Sequence, residues 1–133
     1  MSNTLECTYP DGLDTEVFRF KTLEKAWKEA GLKSEREHVT AYIYKHPELF
    51  RLGAVKHTKD LSALRWTVDT LSDLEFVRAV YASFTHENFG MKEVLSFIKD
   101  HPEIAELNAG QERNEGYLKS LREDMTIKYN AKD

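Results

Sequence analysis

The chain has 133 residues, the size of one domain, and its 41% hydrophobic and 32% charged residues are typical of a folded protein. Its 19 lysine and arginine residues against 23 aspartate and glutamate residues give a net charge of −4 without a basic stripe, which argues against a nucleic-acid partner. No apolar run approaches the ~20 residues of a membrane span, and the first residues lack a secretory pattern, so we expect a cytoplasmic protein without a membrane partner.

The first half of the chain predicts one short strand followed by two helices. Residues 15–18 combine β-branched and aromatic side chains, which is typical of a strand. A helix should follow and stop at Gly31, because apolar residues recur at helical spacing at Leu23, Ala26, Trp27 and Ala30. Ser34 and Glu37 have the spacing of a capping box with Ser34 at the N-cap, and they predict a second helix that Pro47 ends.

The second half predicts two strands and three helices. The strand candidates are residues 52–57 and 64–69, which a polar turn joins. Ser72 and Glu75 form a second capping box, which should open the first of the three helices. These helices have apolar residues at helical spacing, and they cover approximately residues 72–84, 91–99 and 117–123.

Together these elements predict a single α/β domain over residues 1–133, helix-rich and with a small three-strand sheet, whose tail 128–133 is expected to fray. Three strands make a poor sheet unless something pairs their edges. The sequence contains no complete catalytic constellation, because it lacks a nucleophile elbow, a P-loop, a G-x-G-x-x-G motif and an H-E-x-x-H motif. Its one cysteine, Cys7, excludes an internal disulfide framework and a cysteine-based zinc site.

Asp69 is the most informative residue, because it ends a predicted strand immediately before a capped helix. Ligands of open α/β sheets collect outside the carboxyl ends of strands, which makes Asp69 a candidate metal ligand. Mg²⁺ takes one or two protein carboxylates and fills its other positions with phosphate and water. The alternative, which the spacing alone favours, is that Asp69 caps the following helix.

A second group of carboxylates, Asp11, Asp14 and Glu16, lies before and within the first predicted strand. Three carboxylates within six residues suit sugar hydroxyls or a cation, and a solvated acidic turn explains the pattern equally well. Arg36 and His38 lie in the charged start of the second predicted helix, where they remain available to an anionic ligand.

Taken in order, these segments resemble the SpsF-like spore-coat polysaccharide biosynthesis proteins. Those proteins belong to the cytidylyltransferase family, alongside the enzymes that make CMP-activated octulosonate and sialate. The resemblance covers about residues 7–124 and rests on YPDGLDTEVF at 9–18, SEREHVT at 34–40, LRWTVDT at 64–70 with DLE at 73–75, and NAGQERNEGY at 108–117. The ordered run of motifs makes it specific.

The resemblance implies a Rossmann-like nucleotidyltransferase fold, of which this chain is the C-terminal half. The family's nucleotide loop, L-x-A-R-x-x-S-x-R-L-P-x-K, does not occur in the sequence, nor does the aspartate that supplies the family's other metal ligand. The implied reaction is nucleotidyl transfer, in which a sugar hydroxyl attacks the α-phosphate of CTP and pyrophosphate leaves. We expect the chain by itself to be inactive.

By resemblance, Asp69 matches the family's second Mg²⁺-binding carboxylate, and Asp11, Asp14 and Glu16 match the sugar side of the pocket. Arg36 falls in the helix start that closes over that side. The expected ligands are Mg²⁺, CTP and an acidic or amino sugar, bound together with an N-terminal half, and the chain is also a candidate homodimer. The alternative function is a non-catalytic binding or assembly module that keeps the half-fold.

Overall fold

The computed structural model describes residues 1–86, 88–111 and 113–130, and it confirms a helix-rich chain. The helices in the described residues are α1 (Phe20–Glu29), α2 (Lys33–Glu37), α3 (Ala41–Lys45), α4 (Leu71–Ser83), α5 (Met91–Asp100), α6 (Pro102–Glu106) and α7 (Glu115–Asn130). None of them is both long enough and apolar enough to span a membrane.

The predicted three-strand sheet is not present in the described residues, where the only β-pairing consists of isolated bridges. Each strand candidate contributes one residue to a bridge. Glu16 pairs antiparallel with Ser2, Ala54 pairs parallel with the same Ser2, and Arg65 pairs parallel with Asp11. The sequence therefore located one partner of each bridge, but it did not predict that Ser2 and Asp11 are the other partners, and the pairs do not extend into ladders.

The chain around Asp11 explains why the third pairing stops after one residue. Asp11 N donates to Leu64 O at 2.8 Å, and Trp66 N donates to Asp11 O at 2.7 Å. The residue before Asp11 is Pro10, which has no N–H to continue the ladder. The residue after it is Gly12, whose φ of 98° turns the chain away from an extended path.

The chain divides into two compact units, each with its own core. Unit 1 comprises Met1–Glu6, Thr15–Val55 and the described part of Glu112–Asp133, and unit 2 comprises Cys7–Asp14 and Lys56–Gln111. That residues 1–133 form a single domain stays a prediction.

Both cores are built from helical apolar faces. In unit 2, Phe76 and Val80 of α4 pack with Val94 and Ile98 of α5, each pair at i and i+4. In unit 1 the core comprises Ala26 of α1 with Tyr42 and Ile43 of α3. Burial of a large apolar side chain stabilises a fold by about 1.5–3 kcal/mol, so these side chains contribute to holding the helices of each unit together.

Both predicted capping boxes were assigned to the wrong residues. The N-cap of α4 is Thr70, whose Oγ1 accepts from Asp73 N at 3.3 Å, while Asp73 Oδ2 accepts from Thr70 N at 2.9 Å. The box thus begins two residues before Ser72. At α2, Ser34 lies inside the helix, and Glu35 Oε2 accepts from the N–H groups of Gly31 and Leu32 at 3.2 Å each.

Two other helix predictions change as well, and α6 is a helix that the sequence did not predict. The single helix expected up to Pro47 is divided into α2 and α3 by residues 38–40. Pro102 follows the end of α5 and occupies the first turn of α6. A proline is tolerated there because the first N–H groups of a helix have no partner within the helix. The last helix, α7, is longer than predicted and reaches Asn130. Of the tail predicted to fray, residues 131–133 lie outside the described residues.

Candidate functional site

Asp69 and Asp11 belong to one cluster in unit 2, which we call the arginine cluster: Asp11, Arg65, Asp69, Asp73 and Asn108. The parallel bridge between Asp11 and Arg65 brings the acidic segment beside the predicted metal segment. This arrangement requires Gly12, because a Cβ there would lie 2.6 Å from Thr67 N. A close approach of two backbones thus assembles the cluster.

Arg65 joins the three carboxylates of this cluster through its guanidinium group. Its Nε and Nη2 donate to the two oxygens of Asp73 at 2.9 and 3.1 Å, in a bidentate pair. Its Nη1 donates to Asp11 Oδ2 at 3.1 Å, and its Nη2 donates to Asp69 Oδ2 at 2.8 Å. The side chain of Arg65 is only 10% exposed, so these bonds lie mostly out of water.

Asp73 is the buried anchor of the cluster, with a side chain 0% exposed. Besides the bonds from Arg65, it accepts from Asn108 Nδ2 at 2.9 Å, Asp69 N at 3.1 Å and Thr70 N at 2.9 Å. The bonds from Arg65, followed by those from Asn108 and the start of α4, hold the pKa of Asp73 well below its usual range, although burial acts in the opposite direction. The same pairing raises the pKa of Arg65.

Asp69 is the member of the cluster that faces solvent, because its side chain is 67% exposed, against 12% for Asp11. It does not cap α4, since Thr70 does. Three aspartates around one arginine give the cluster a formal surplus of negative charge, and Asp69 is the aspartate that is exposed to solvent. The residue that the sequence selected as a metal ligand is therefore the accessible one.

The donor set of this cluster fits Mg²⁺ only as a partial site. One exposed carboxylate, with Thr67 Oγ1 3.5 Å from its Oδ2, matches the one or two protein carboxylates with which Mg²⁺ is held beside phosphate and water. Among the described residues, no group of three or more histidine, cysteine, aspartate or glutamate side chains is arranged to hold a metal. Asp69 is thus one candidate ligand and not a complete metal centre.

Glu16 lies in unit 1, in an open cavity of about 380 Å³ that we call the tyrosine cavity, lined by Thr4, Leu5, Glu16, His38, Thr40, Tyr44, Asn114 and Tyr117. Glu16 Oε2 accepts from Thr40 Oγ1 at 2.5 Å. Burial, followed by a hydrogen bond with Tyr117, raises the pKa of Tyr44. A carboxylate, hydroxyl groups and aromatic rings suit a ligand with several hydroxyl groups and an apolar face.

The other two predicted substrate residues have different surroundings. Asp14 belongs to unit 2, where it is exposed, and it is not a member of the arginine cluster as defined above. Arg36 belongs to unit 1, where its Nη1 donates to Trp27 O at 2.7 Å. Together with Trp27 and Val39, Arg36 lines an apolar groove rather than the tyrosine cavity.

Sequence reasoning missed Arg65, Asp73 and Asn108 as members of the site. Thr70 and Asp73 have capping-box spacing, which could have identified Asp73 as the residue that holds the start of α4. Nothing in the local pattern of Arg65 or Asn108 distinguishes them from surface residues. Asn108 Nδ2 donates to Arg65 O at 3.0 Å as well as to Asp73, across a long stretch of sequence.

Comparison with known proteins agrees with this fold. No family model matches the chain. It is 37% identical over 100 residues to an uncharacterized protein of Methanocaldococcus jannaschii, a match that covers 74% of this chain and 41% of that one. Its structure is similar to that of a cytidylyltransferase from Leptospira borgpetersenii serovar Hardjo-bovis, with a TM-score of 0.75 and 29% identity.

The structural match covers 84% of this chain and 45% of the Leptospira enzyme. The chain therefore spans less than half the length of either relative. Its helix-rich fold resembles part of a cytidylyltransferase, which confirms the coarser part of the sequence resemblance.

Proposed function

We propose that the chain is the C-terminal part of a sugar cytidylyltransferase that serves surface or spore-coat polysaccharide biosynthesis. The observation that carries this proposal is the structural similarity to a cytidylyltransferase over 84% of the chain. The exposed carboxylate of Asp69, held on a buried arginine, supports it independently, because nucleotidyl transfer needs carboxylates that face a metal–nucleotide complex.

In the proposed reaction, a sugar hydroxyl oxygen forms a bond to the α-phosphorus of CTP. The bond between that phosphorus and the oxygen bridging to the β-phosphate breaks, pyrophosphate leaves and the hydroxyl proton passes to solvent. Bound Mg²⁺ would neutralise phosphate charge. The contribution of this chain is positional: Asp69 would supply one carboxylate, held in place by its bond to Arg65.

For the sugar, we propose a contact from Glu16 in the tyrosine cavity of unit 1, and we propose Asp14 of unit 2 as a separate candidate contact. The surroundings of the other two candidates favour different roles. The side chain of Asp11 is 12% exposed and bonds to Arg65, and Arg36 bonds to the backbone of Trp27. An acidic or amino sugar is the proposed substrate class.

The test is pyrophosphate release with CTP, Mg²⁺ and a panel of 2-keto-3-deoxy and amino sugars. We expect no turnover from the chain alone. We expect turnover when the chain is combined with the nucleotide-loop half of the cytidylyltransferase it resembles, and loss of that turnover with Asp69→Asn. The matched control is Asp100→Asn, the same chemical change at an exposed residue that ends α5.

Three outcomes would contradict the proposal. Turnover by the chain alone that survives repurification would show a complete enzyme. Turnover by the combined halves that is unaffected by Asp69→Asn would remove the metal assignment. Two folded halves that together neither bind nor consume CTP would favour the non-catalytic module.

A further inference from the structure

Arg65 is a cation placed beside the carboxylate that we propose as a metal ligand, and the chemistry of that ligand depends on it. The distance from Arg65 Nη2 to Asp69 Oδ2 is 2.8 Å. A guanidinium that close both attracts the carboxylate and repels any second cation that approaches it.

Arg65 is not placed to bind phosphate. A guanidinium has five N–H groups, and Arg65 makes four hydrogen bonds, all to carboxylate oxygens of Asp11, Asp69 and Asp73. At most one N–H is left for a ligand, and the side chain is only 10% exposed. Its positive charge therefore acts on the carboxylates of this chain.

The arrangement also keeps Arg65 from leaving. Asp73 is fully buried and takes two of the four bonds, and Asn108 Nδ2 donates to both Asp73 Oδ1 and the backbone oxygen of Arg65. Moving the guanidinium away would leave Asp73 buried and charged without its counter-ion, which is strongly unfavourable. The cation beside Asp69 is thus a permanent one.

We propose that Arg65 is a resident counter-cation that lowers the affinity of Asp69 for free divalent ions, so that a metal ion binds there only when it arrives with its own phosphate charge. This inference rests on the proposed function, because it assumes that Asp69 is a metal ligand. It makes Arg65 a positioning residue and names the ligand of the site as a metal–nucleoside triphosphate complex rather than the bare ion.

The experiment measures Mn²⁺ alone, titrated into the isotope-labelled full chain and followed by paramagnetic broadening of the backbone amide signals of residues 67–71. Two substitutions weaken or remove the same ionic hydrogen bond, Arg65 Nη1 to Asp11 Oδ2, but change the charge in opposite directions. Arg65→Gln removes a positive charge, and Asp11→Asn removes a negative one. Arg65→Lys keeps the charge and serves as the conservative variant.

We expect Arg65→Gln to raise the affinity for Mn²⁺ roughly tenfold, the size of the Coulomb effect of one charge on a divalent ion about 5 Å away in water. We expect Asp11→Asn to weaken Mn²⁺ binding several-fold and Arg65→Lys to leave it within about twofold. A merely structural role for Arg65 would move the first two variants in the same direction, because both loosen the same contact, and that result would overturn the proposal.

Asp69→Asn separates this inference from the proposed function. If it leaves the broadening unchanged, the metal assignment of Asp69 is wrong and the inference falls with it. If it removes the broadening while Arg65→Gln does not raise the affinity, only the role of Arg65 is wrong. If Arg65→Gln does not fold, as shown by the loss of its dispersed amide spectrum, Asp11→Asn and Arg65→Lys test the proposal in its place. Unchanged or tighter Mn²⁺ binding in Asp11→Asn would then contradict the proposal.

Discussion

The arginine cluster of unit 2 and the tyrosine cavity of unit 1 are two polar regions of opposite construction. In the cluster, ionic hydrogen bonds converge on side chains that are almost fully buried, and only Asp69 remains accessible. In the cavity, partly exposed hydroxyl and carboxylate groups bond in pairs such as Thr40 with Glu16, around an open volume of about 380 Å³. Substitution of the buried members of the cluster should therefore mainly lower stability, and substitution in the cavity should mainly weaken ligand binding.

The largest expected effect is that of Asp73→Ala, which would break the cluster. It removes the counter-ion of the buried Arg65, and breaking a buried ion pair by removing one partner typically costs about 3–5 kcal/mol. Urea unfolding followed by circular dichroism measures the change in the free energy of unfolding, with Asp100→Asn as the control. A loss below about 1 kcal/mol would contradict the anchoring role of Asp73.

The same residue predicts a pH dependence of stability. Because the pKa of Asp73 is depressed in the fold, its contribution is complete above the unfolded value of about 3.9 and is lost as the pH falls through the folded value. Stability should therefore decline below about pH 4 more steeply in the unmodified chain than in Asp73→Asn. Equal slopes for the two proteins, measured by urea unfolding between pH 5 and 2.5, would show that the depressed pKa does not stabilise the fold.

The next largest effect is expected for Gly12→Ala, which tests the close approach that assembles the cluster. The new Cβ would lie 2.6 Å from backbone atoms of residues 66 and 67, at a φ of 98° that disfavours any side chain, so we expect a loss of about 2–3 kcal/mol. Gly110→Ala is the matched control, because its φ of 80° carries the same strain but nothing lies within 4 Å. If thermal unfolding shows that Gly12→Ala and Gly110→Ala lose the same amount of stability, the clash with residues 66 and 67 adds nothing to the cost of the Gly12 substitution.

A smaller effect on stability is expected for Glu16→Gln, which tests the tyrosine cavity. The amide oxygen can still accept from Thr40, so only the charge assistance is lost and stability should fall by about 0.5–1 kcal/mol. Binding of the sugar to the combined halves, measured by calorimetry, should weaken much more than stability does. Unchanged sugar affinity would remove Glu16 from the proposed contacts.

The smallest effect on stability is expected for Asp69→Asn. The side chain is 67% exposed, and an exposed ion pair contributes about 0–1 kcal/mol, so the free energy of unfolding should change by less than about 0.5 kcal/mol. Differential scanning calorimetry of this variant beside Asp73→Ala gives the contrast directly. A large loss would make Asp69 structural and would contradict its assignment as a metal ligand.

The helices that sequence periodicity predicted most firmly, α1, α4 and α5, are present with ends within a few residues of expectation. Periodicity succeeds there because each helix lays an apolar face on a core, as Val94 and Ile98 of α5 do. The predicted capping boxes failed for a different reason at each helix start. At α4, Thr70 is the N-cap instead of Ser72, and at α2 the N-cap is Leu32, whose side chain makes no capping bond. The Oγ of Ser34 instead accepts from Lys45 Nζ at 2.9 Å.

The sequence alone predicted the helix-rich character of the chain, one partner of each single bridge, and the position of Asp69 just before a helix. These properties depend on local patterns of apolar and capping residues, which short stretches of sequence contain. Only the tertiary structure decided that Asp11, Asp73 and Asn108 meet at Arg65, because those contacts join residues as far apart as 11 and 65. Which of the three aspartates is buried and which faces solvent depends on how those distant segments pack, and the residues next to each aspartate do not determine it.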